Sequence, residues 1–202
     1  MNSLLVGVGI SDRAAPWDDP VADAVTAEAL GYDFVSAFDH PVADAVTAEA
    51  VGYDPVPTLG HPAGTYPTYE TLTLLTWIAA RTTRIGIVPR VLGVPFRRPV
   101  LVAKAAESLH RLSGGRLILG LGAGYRDTEI RAAGGPGLTP QAKADGLEEA
   151  ITIIRAAWTQ RVVSYHGAVY SVDDLDLEPK PAEPAITPGV LRAFGSRRTG
   201  TL

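Results

Sequence analysis

The chain has 202 residues, of which 46% are hydrophobic and 20% charged, as is typical of a folded globular domain. Its formal net charge of −4 argues against partners that require a basic face, namely nucleic acid and anionic membrane surfaces. Because the sequence has no cysteine, it excludes disulfides, thiolate metal sites and cysteine nucleophiles, and a cytoplasmic location is expected.

Short apolar runs alternate with helical patterns along most of the chain. The runs predict strands at 4–10, 34–38, 85–94 and 116–121. Helices are predicted between and after them, at 20–30, 69–84, 99–112 and 143–158, with Asp19 and Thr68 as the caps of the first two. In the last helix Leu147 and Ile154 face the core, whereas Glu149 is predicted on the solvent side. This alternation predicts an α/β fold with parallel strands and right-handed crossovers.

The pattern changes after the fourth strand–helix unit. Residues 162–172 predict a β-hairpin that turns near His166, and 177–188 read as a proline-rich extended arm. The stretch 187–202 lacks hydrophobic periodicity and is predicted to be a disordered tail.

Residues 20–40 and 41–61 form a tandem repeat, nearly identical over their first fourteen positions. A solenoid needs at least three repeats to bury a continuous core, so a duplication is the better interpretation. Prolines interrupt the end of the second copy, which therefore cannot repeat the strand of the first copy. We expect an additional helix in the loop after the second strand.

A glycine-rich motif, RLSGGRLILGLGAGY at 111–125, runs from a helix end through a buried strand into Gly120, Gly122 and Gly124. Glycines at the carboxyl end of a strand allow backbone N–H groups to contact an anion such as phosphate. Equally, they permit a tight turn and close packing, and the spacing alone does not decide between the two. A Rossmann-type dinucleotide fingerprint is the alternative, although its third glycine is out of place.

Two other groups of polar residues follow predicted strands. Asp39 and His40 end the second strand, where the histidine is suited to proton transfer, or where either residue caps the following helix. Arg97 and Arg98 precede a helix and are suited to hold an anionic cofactor tail, or are simply solvated. The other histidines are not spaced as metal ligands, and no metal site is expected.

In order along the chain, several segments together resemble the luciferase-like oxidoreductases, most closely the branch that uses the deazaflavin coenzyme F-420 (F420). The resemblance extends from Leu4 to about residue 184, and its most specific part is the LSGGR-to-GAG block. The other segments that carry it are GYD…DH, YETLTLLTWIAARTTRI, VPFRRPV, LEEAI and VSYHG…PKP. This resemblance implies a TIM-barrel-like fold of which the chain supplies about four of the eight (β/α) units. From this resemblance, together with the repeat and the tail composition described above, we expect one partial-barrel domain at 1–186, with the C-terminal hairpin and the duplicated segment at 41–61, and a disordered tail at 187–202.

The resemblance also implies roles for particular residues. Asp39 and His40 match a pair beside the cofactor ring and are the expected catalytic residues. The peptide between Arg90 and Val91 matches one, often an unusual cis bulge, that supports the back of the ring. Glu129 matches a family acid without an assigned role. The residues expected to bind the cofactor are Arg90, Val91, Gly122, Ala123 and Gly124.

The implied activity is hydride transfer with F420, or oxygen insertion with FMN as the alternative cofactor, on a small organic substrate. Two other hypotheses remain open: a catalytically inactive, truncated family member, and a Rossmann-type nucleotide-binding module. We expect no nucleic-acid or membrane partner. Self-association into a homo-oligomer through exposed barrel edges is expected, because unpaired strand edges favour pairing with another chain.

Overall fold

A computed structural model of the chain describes residues 4–11, 14, 18–39, 68–181 and 187–190, the last four as backbone only. It confirms an α/β fold. The strands are β1 Gly7–Gly9, β2 Phe34–Ala37, β3 Gly86–Pro89, β4 Leu92–Gly93, β5 Ile118–Gly122, β6 Val163–His166, β7 Ser171–Leu175 and β8 Thr187–Val190. The helices are α1 Pro20–Ala29, α2 Thr71–Arg81, α3 Pro99–Leu112, α4 Asp127–Ala132 and α5 Pro140–Thr159, with a 3₁₀ turn at Val94–Phe96. Of the helices in the described ranges, none has the length and apolarity needed to cross a membrane.

Six of the strands pair in parallel, in two sheets of order β1-β2-β3 and β4-β5-β8. A parallel bridge between Ile87 and Leu117 joins the two sheets. Among the described strands, spatial order therefore follows chain order. A Rossmann sheet instead reverses its strand order at a switch point, where the ligand binds. The Rossmann-type alternative is therefore wrong.

The third predicted strand, 85–94, is interrupted. Its first part, β3, pairs with β2, and its second part, β4, pairs with β5. The break lies at the peptide between Arg90 and Val91, which is cis. The cis bulge expected at this bond is thus present, and the interruption transfers the strand's hydrogen bonds from one neighbour to the other.

The sheet has two unlike faces. Val35, Ala37 and Leu119 pack into the main hydrophobic core against the helices. Because side chains alternate along a strand, their neighbours point to the opposite face. We call this opposite side the glycine face; it is formed by Gly7, Gly9, Gly86, Gly120 and Gly122 with Phe34 and Ser36. The glycines let other parts of the chain approach the sheet closely there.

Helix boundaries agree with the sequence where a capping residue marks them. Asp19 caps α1 by accepting hydrogen bonds from the amides of Val21 and Ala22, and α3 has the predicted bounds. The second helix differs, since Glu70 rather than Thr68 is its cap. Glu70 directly precedes the helix, and its carboxylate accepts the amide hydrogen of Thr73, the third helical residue. Thr68 lies three residues before the helix begins.

Glu149 on α5 is buried, contrary to the prediction, and it holds the hairpin formed by β6 and β7. Its carboxylate accepts the backbone N–H groups of Ala168, Val169 and Tyr170 at 2.8–3.3 Å. The Tyr170 hydroxyl in turn donates to the carbonyl of Val94 at 3.2 Å. A carboxylate enclosed by three amides does not need solvent, which explains the departure from the simple helical pattern.

The segment after the hairpin lies against α3 and α5. Lys104 donates to the carbonyl of Glu178 at 2.7 Å, and Arg111 donates to the carbonyl of Lys180 at 2.6 Å. The chain then forms β8, which pairs in parallel with β5. Residues 187–190 are therefore the sixth parallel strand, or the fifth if β3 and β4 count as the single strand predicted at 85–94, and the predicted disordered tail is wrong for these four residues. The remainder of the predicted tail, 191–202, and the duplicated segment at 41–61 lie outside the described residues.

Candidate functional site

The carboxyl ends of β2, β4 and β5 meet at one rim of the sheet. Gly93 at the end of β4 lies opposite Gly122 in the β5 register, and its amide donates to the Asp39 carboxylate at 2.8 Å. Asp39 and the glycine motif, which are far apart in sequence, thus lie at the same rim. His40, the other expected catalytic residue, lies outside the described residues.

Asp39 is buried and its carboxylate is fully engaged. Arg97 forms a two-pronged ion pair with it, with N–O distances of 2.7 and 2.9 Å. The Thr71 hydroxyl lies 3.0 Å from its Oδ1, in addition to the Gly93 amide on Oδ2. We call Asp39, Thr71, Gly93 and Arg97 the Asp39 network. It joins the end of β2 to the start of α2, to β4 and to the turn before α3.

This arrangement suits positioning rather than proton transfer. The two oxygens of Asp39 accept three N–H donors, one from Gly93 and two from Arg97, and the Asp39 side chain is 1% exposed. The Thr71 hydroxyl is shared between Asp39 Oδ1 at 3.0 Å and the Phe38 carbonyl oxygen at 2.7 Å. A general base needs a free lone pair within reach of a substrate proton. This geometry favours a positioning role for Asp39, and its catalytic role stays a prediction. Arg97 forms ion pairs with the carboxylates of Asp39 and Glu70, whereas Arg98 is exposed.

Glu70 extends the Asp39 network towards solvent. It accepts from Arg97 at 2.6 Å and from the Thr73 amide and hydroxyl at 2.7 and 2.8 Å. Partial burial raises the pKa of Glu70, but the hydrogen bonds from Thr73 and Arg97 outweigh it, so that the pKa lies below the ordinary 4.5. The Glu70 carboxylate is thus stabilised in its charged form.

The glycines of β5 are required by packing. A side chain at Gly120 would overlap the Pro89 carbonyl oxygen, and one at Gly122 would come within 2.5 Å of a Val91 methyl group. The bulge between β3 and β4 therefore lies directly against β5. Close packing, one of the two explanations left open by the motif, accounts for these two positions, and it places the Arg90–Val91 peptide at the rim beside the end of β5.

The turn after β5 offers the features that an anion would need. Gly124 adopts φ +85°, which favours glycine, and a side chain there would lie 2.8 Å from Pro95. Within the described parts of the chain, the amides of Ala123 and Gly124 donate no hydrogen bond. Consecutive unpaired amides in a turn with a positive φ form an anion-binding concavity. These residues thus fit the phosphate-bearing part of a flavin-type cofactor.

Two further expectations concern acids and metals. Glu129 on α4 is buried, 5% exposed, and stays without an assigned role. Among the residues that the structure describes, no group of three or more histidine, aspartate or glutamate side chains could hold a metal ion.

The sequence reasoning missed the partners of Asp39 and the polar residues of the glycine face. Thr71 and Arg97 contact Asp39 across 32 and 58 positions, a pairing that one sequence does not reveal. Ser36 carried a usable signal, because a serine on an otherwise apolar buried strand is unusual. Phe38 follows the same strand, and its exposed ring lies at the rim.

Comparison with known proteins identifies relatives of one kind. The family model described as luciferase-like monooxygenase matches residues 4–201. An F420-dependent glucose-6-phosphate dehydrogenase of Intrasporangium calvum is 35% identical over 116 residues, which are 54% of this chain and 35% of that protein. An FMNH(2)-dependent dimethylsulfone monooxygenase of Pseudomonas putida is 30% identical over 115 residues, 57% of this chain and 31% of that protein.

A solved structure shows the same fold. The EDTA monooxygenase of Chelativorans sp. BNC1 superposes with a TM-score of 0.76 at 15% identity, over 97% of this chain and 50% of that one. The chain thus spans about half the length of this structural neighbour, and its alignments cover about a third of the two curated relatives.

The contributions of Asp39 and Arg97 to the free energy of unfolding should be strongly coupled. Asp39→Asn is expected to lower the free energy of unfolding by about 3 kcal/mol, because it leaves a largely buried guanidinium with reduced compensation. Arg97→Met should cost a similar amount, and the double variant should cost less than the sum by at least about 1 kcal/mol. Urea denaturation of the four proteins measures this coupling, and additive costs would contradict the network.

The lowered pKa of Glu70 predicts a pH-dependent contribution to stability. A carboxyl whose folded pKa is below its unfolded pKa stabilises the fold above the unfolded value and ceases to do so as pH falls through the folded value. The stability difference between wild type and Glu70→Gln should therefore be constant near neutral pH and shrink below pH 4.5. Denaturation from pH 7 to pH 3 tests this, and a difference that grows on acidification would refute it.

Proposed function

Because the chain belongs to the luciferase-like monooxygenase family, we propose that it is a flavin- or deazaflavin-dependent oxidoreductase acting on a small organic substrate. The observation that carries the proposal is the pair of amides at Ala123 and Gly124, which find no acceptor among the described residues and lie on the same rim as the Arg90–Val91 bulge. The two features offer an anion site and a backbone support next to each other. A ring with a phosphate-bearing side chain requires this combination.

We also propose that the six parallel strands form the first part of a (β/α) barrel. Parallel strands in sequential order, each followed by a helical connection, are the repeating unit of that fold. In such barrels, cofactor and substrate bind at the carboxyl ends of the strands, which is where Asp39 and Gly122 meet.

The residues of the rim have distinct tasks in this proposal. The Ala123 and Gly124 amides bind the cofactor phosphate, and the Val91 side chain and its peptide support the ring. The Asp39 network fixes the bulge and the end of β2 relative to each other. His40 remains the proposed proton donor or acceptor on the sequence resemblance alone. Acceptance of hydride, or activation of dioxygen, is the chemistry that the cofactor supplies when bound.

F420 is the proposed cofactor and FMN the alternative. Of the two curated relatives named above, one is F420-dependent and the other is FMNH(2)-dependent. A second candidate function is a catalytically inactive family member. The Arg90 side chain favours it, since this large group lies at the bulge over the Phe38 ring, 4.2 Å from its centroid, where it competes with a bound ring for space.

Ala123 offers a matched pair of variants for the cofactor site. Ala123→Asp places a negative charge beside the two amides, whereas Ala123→Asn adds nearly the same volume without charge. We expect the aspartate variant to weaken F420 or FMN binding at least tenfold, because it competes with phosphate for the amides, and the asparagine variant less than threefold.

Absorption and fluorescence titration of the purified chain with each cofactor measures these affinities. The wild type should perturb the spectrum of at least one cofactor. No perturbation by either one would support the inactive alternative, and equal loss in both variants would show that size rather than charge matters.

We further propose that the chain self-associates through strand edges. Among the described strands, β1 and β8 lie at the two ends of the sheet order, and Leu4 and Leu5 beside β1 are 87% and 59% exposed. An open strand edge flanked by apolar side chains favours pairing with another chain.

Leu5→Lys should therefore convert an oligomer into a monomer of 21.2 kDa, since a charged edge opposes strand pairing. Val25→Lys is the control, because Val25 is an exposed apolar residue of α1 away from the edges. Size-exclusion chromatography with light scattering reports the masses. A wild-type chain that stays monomeric on concentration would contradict the proposal.

A further inference from the structure

Lys143, near the start of α5, reaches the turn that follows β5. Its ammonium group donates to the Tyr125 carbonyl oxygen at 3.0 Å and lies 2.8 Å from Oδ1 of Asp127. Tyr125 directly follows Gly124, the residue whose positive φ shapes this turn. The lysine therefore connects the first part of α5 to the proposed phosphate site and to the start of α4.

The ammonium group of Lys143 is held in place and largely shielded from solvent. The Lys143 side chain is 13% exposed, whereas a surface lysine usually keeps its charged head in water. Thr139 caps α5 by accepting the Ala142 amide at 3.2 Å, and its carbonyl accepts the Lys143 amide at 3.0 Å. Both the backbone and the charged end of Lys143 are thus fixed, so that its charge belongs to the turn.

This charge is close enough to the turn amides to act on a bound anion. The Tyr125 carbonyl oxygen that Lys143 contacts belongs to the residue next to Gly124, so the ammonium lies within about 10 Å of the Gly124 amide. Salt screens exposed charges over about the same distance, and partly buried charges less. Because backbone amides carry only partial charges, a nearby full positive charge strengthens their attraction for phosphate.

Asp127 moderates the positive charge of Lys143. The hydrogen bond from Lys143 lowers the pKa of Asp127, so the carboxylate is ionised near neutral pH. Its negative charge compensates part of the attraction that the ammonium exerts on an anion at the turn. Removal of the lysine and removal of the aspartate should therefore change phosphate binding in opposite directions.

We infer that Lys143 is a positioning residue that determines the preference of this site for a phosphate-bearing cofactor over a phosphate-free one. It anchors the turn through the Tyr125 carbonyl, and it supplies a full positive charge near the Ala123 and Gly124 amides. The inference rests on the proposed function, because it concerns the same cofactor site.

FMN and riboflavin differ only in the phosphate group, so the ratio of their dissociation constants measures the contribution of the phosphate. Fluorescence titration of the full chain gives this ratio. Lys143→Met should lower the preference for FMN at least fivefold, and Lys143→Arg, which keeps the charge, less than twofold. Asp127→Asn should raise it at least twofold, because the ammonium is then uncompensated. If the chain binds F420 rather than FMN, F420 and its phosphate-free deazaflavin core form the corresponding pair.

Lys104→Met is the matched control. Lys104 also donates to a backbone carbonyl, that of Glu178, but lies outside the proposed site, and its loss should leave the preference for FMN as in wild type. Equal losses of FMN and riboflavin affinity in Lys143→Met would overturn the inference, because the lysine would then act only on the fold. So would a preference that falls as far in Lys143→Arg, or one that falls in Asp127→Asn.

Inorganic phosphate separates this inference from the proposed redox function. Phosphate should shift the NMR signals of the Ala123 and Gly124 amides in the wild type, and Lys143→Met should need at least fivefold more phosphate for the same shift. This result in a chain that binds no flavin or deazaflavin would support the anion site and refute the redox function. A chain that binds a cofactor but shows no shift with phosphate would overturn the inference alone, and a chain that binds neither would refute both.

Discussion

The close approach of the Pro89–Val91 segment to β5 is the constraint on which the rest of the site depends. Only glycine at 120 and 122 lets the segment lie there, because any side chain would meet the Pro89 carbonyl or the Val91 methyl groups. This contact interrupts the third strand and turns its hydrogen bonds from β2 to β5. It brings the proposed support for the ring and the proposed phosphate site next to each other.

The buried ion pair of Asp39 and Arg97 stabilises the position of β4 next to the end of β2. Asp39 reaches β4 through the Gly93 amide and α2 through Thr71, so that one carboxylate connects consecutive units of the fold. A carboxylate that accepts several hydrogen bonds is suited to fix the positions of its partners rather than to transfer a proton. In the proposed function, the chemistry is then left to the cofactor and to side chains outside the Asp39 network.

Local signals allowed much of the fold to be predicted. The bounds of α3 follow from Pro99 and the glycines after Leu112, and the parallel order follows from strand–helix alternation. What failed depended on distant partners. Glu149 looked solvent-exposed because its amide donors come from a hairpin some twenty residues later, and β8 carries too little periodicity to be distinguished from a tail. At the site, the location of the glycine motif was predictable, but the Asp39 network was not, because its contacts span tens of residues.

The fastening of the segment before β8 also has a consequence for the sheet. Lys104 and Arg111 on α3 grip carbonyl groups of that segment, and both side chains pair with the buried Glu107. The outer side of α3 therefore fixes the position of residues 178–180, shortly before the chain enters β8. A charge reversal at Lys104 or Arg111 would release this segment, although neither residue belongs to a strand.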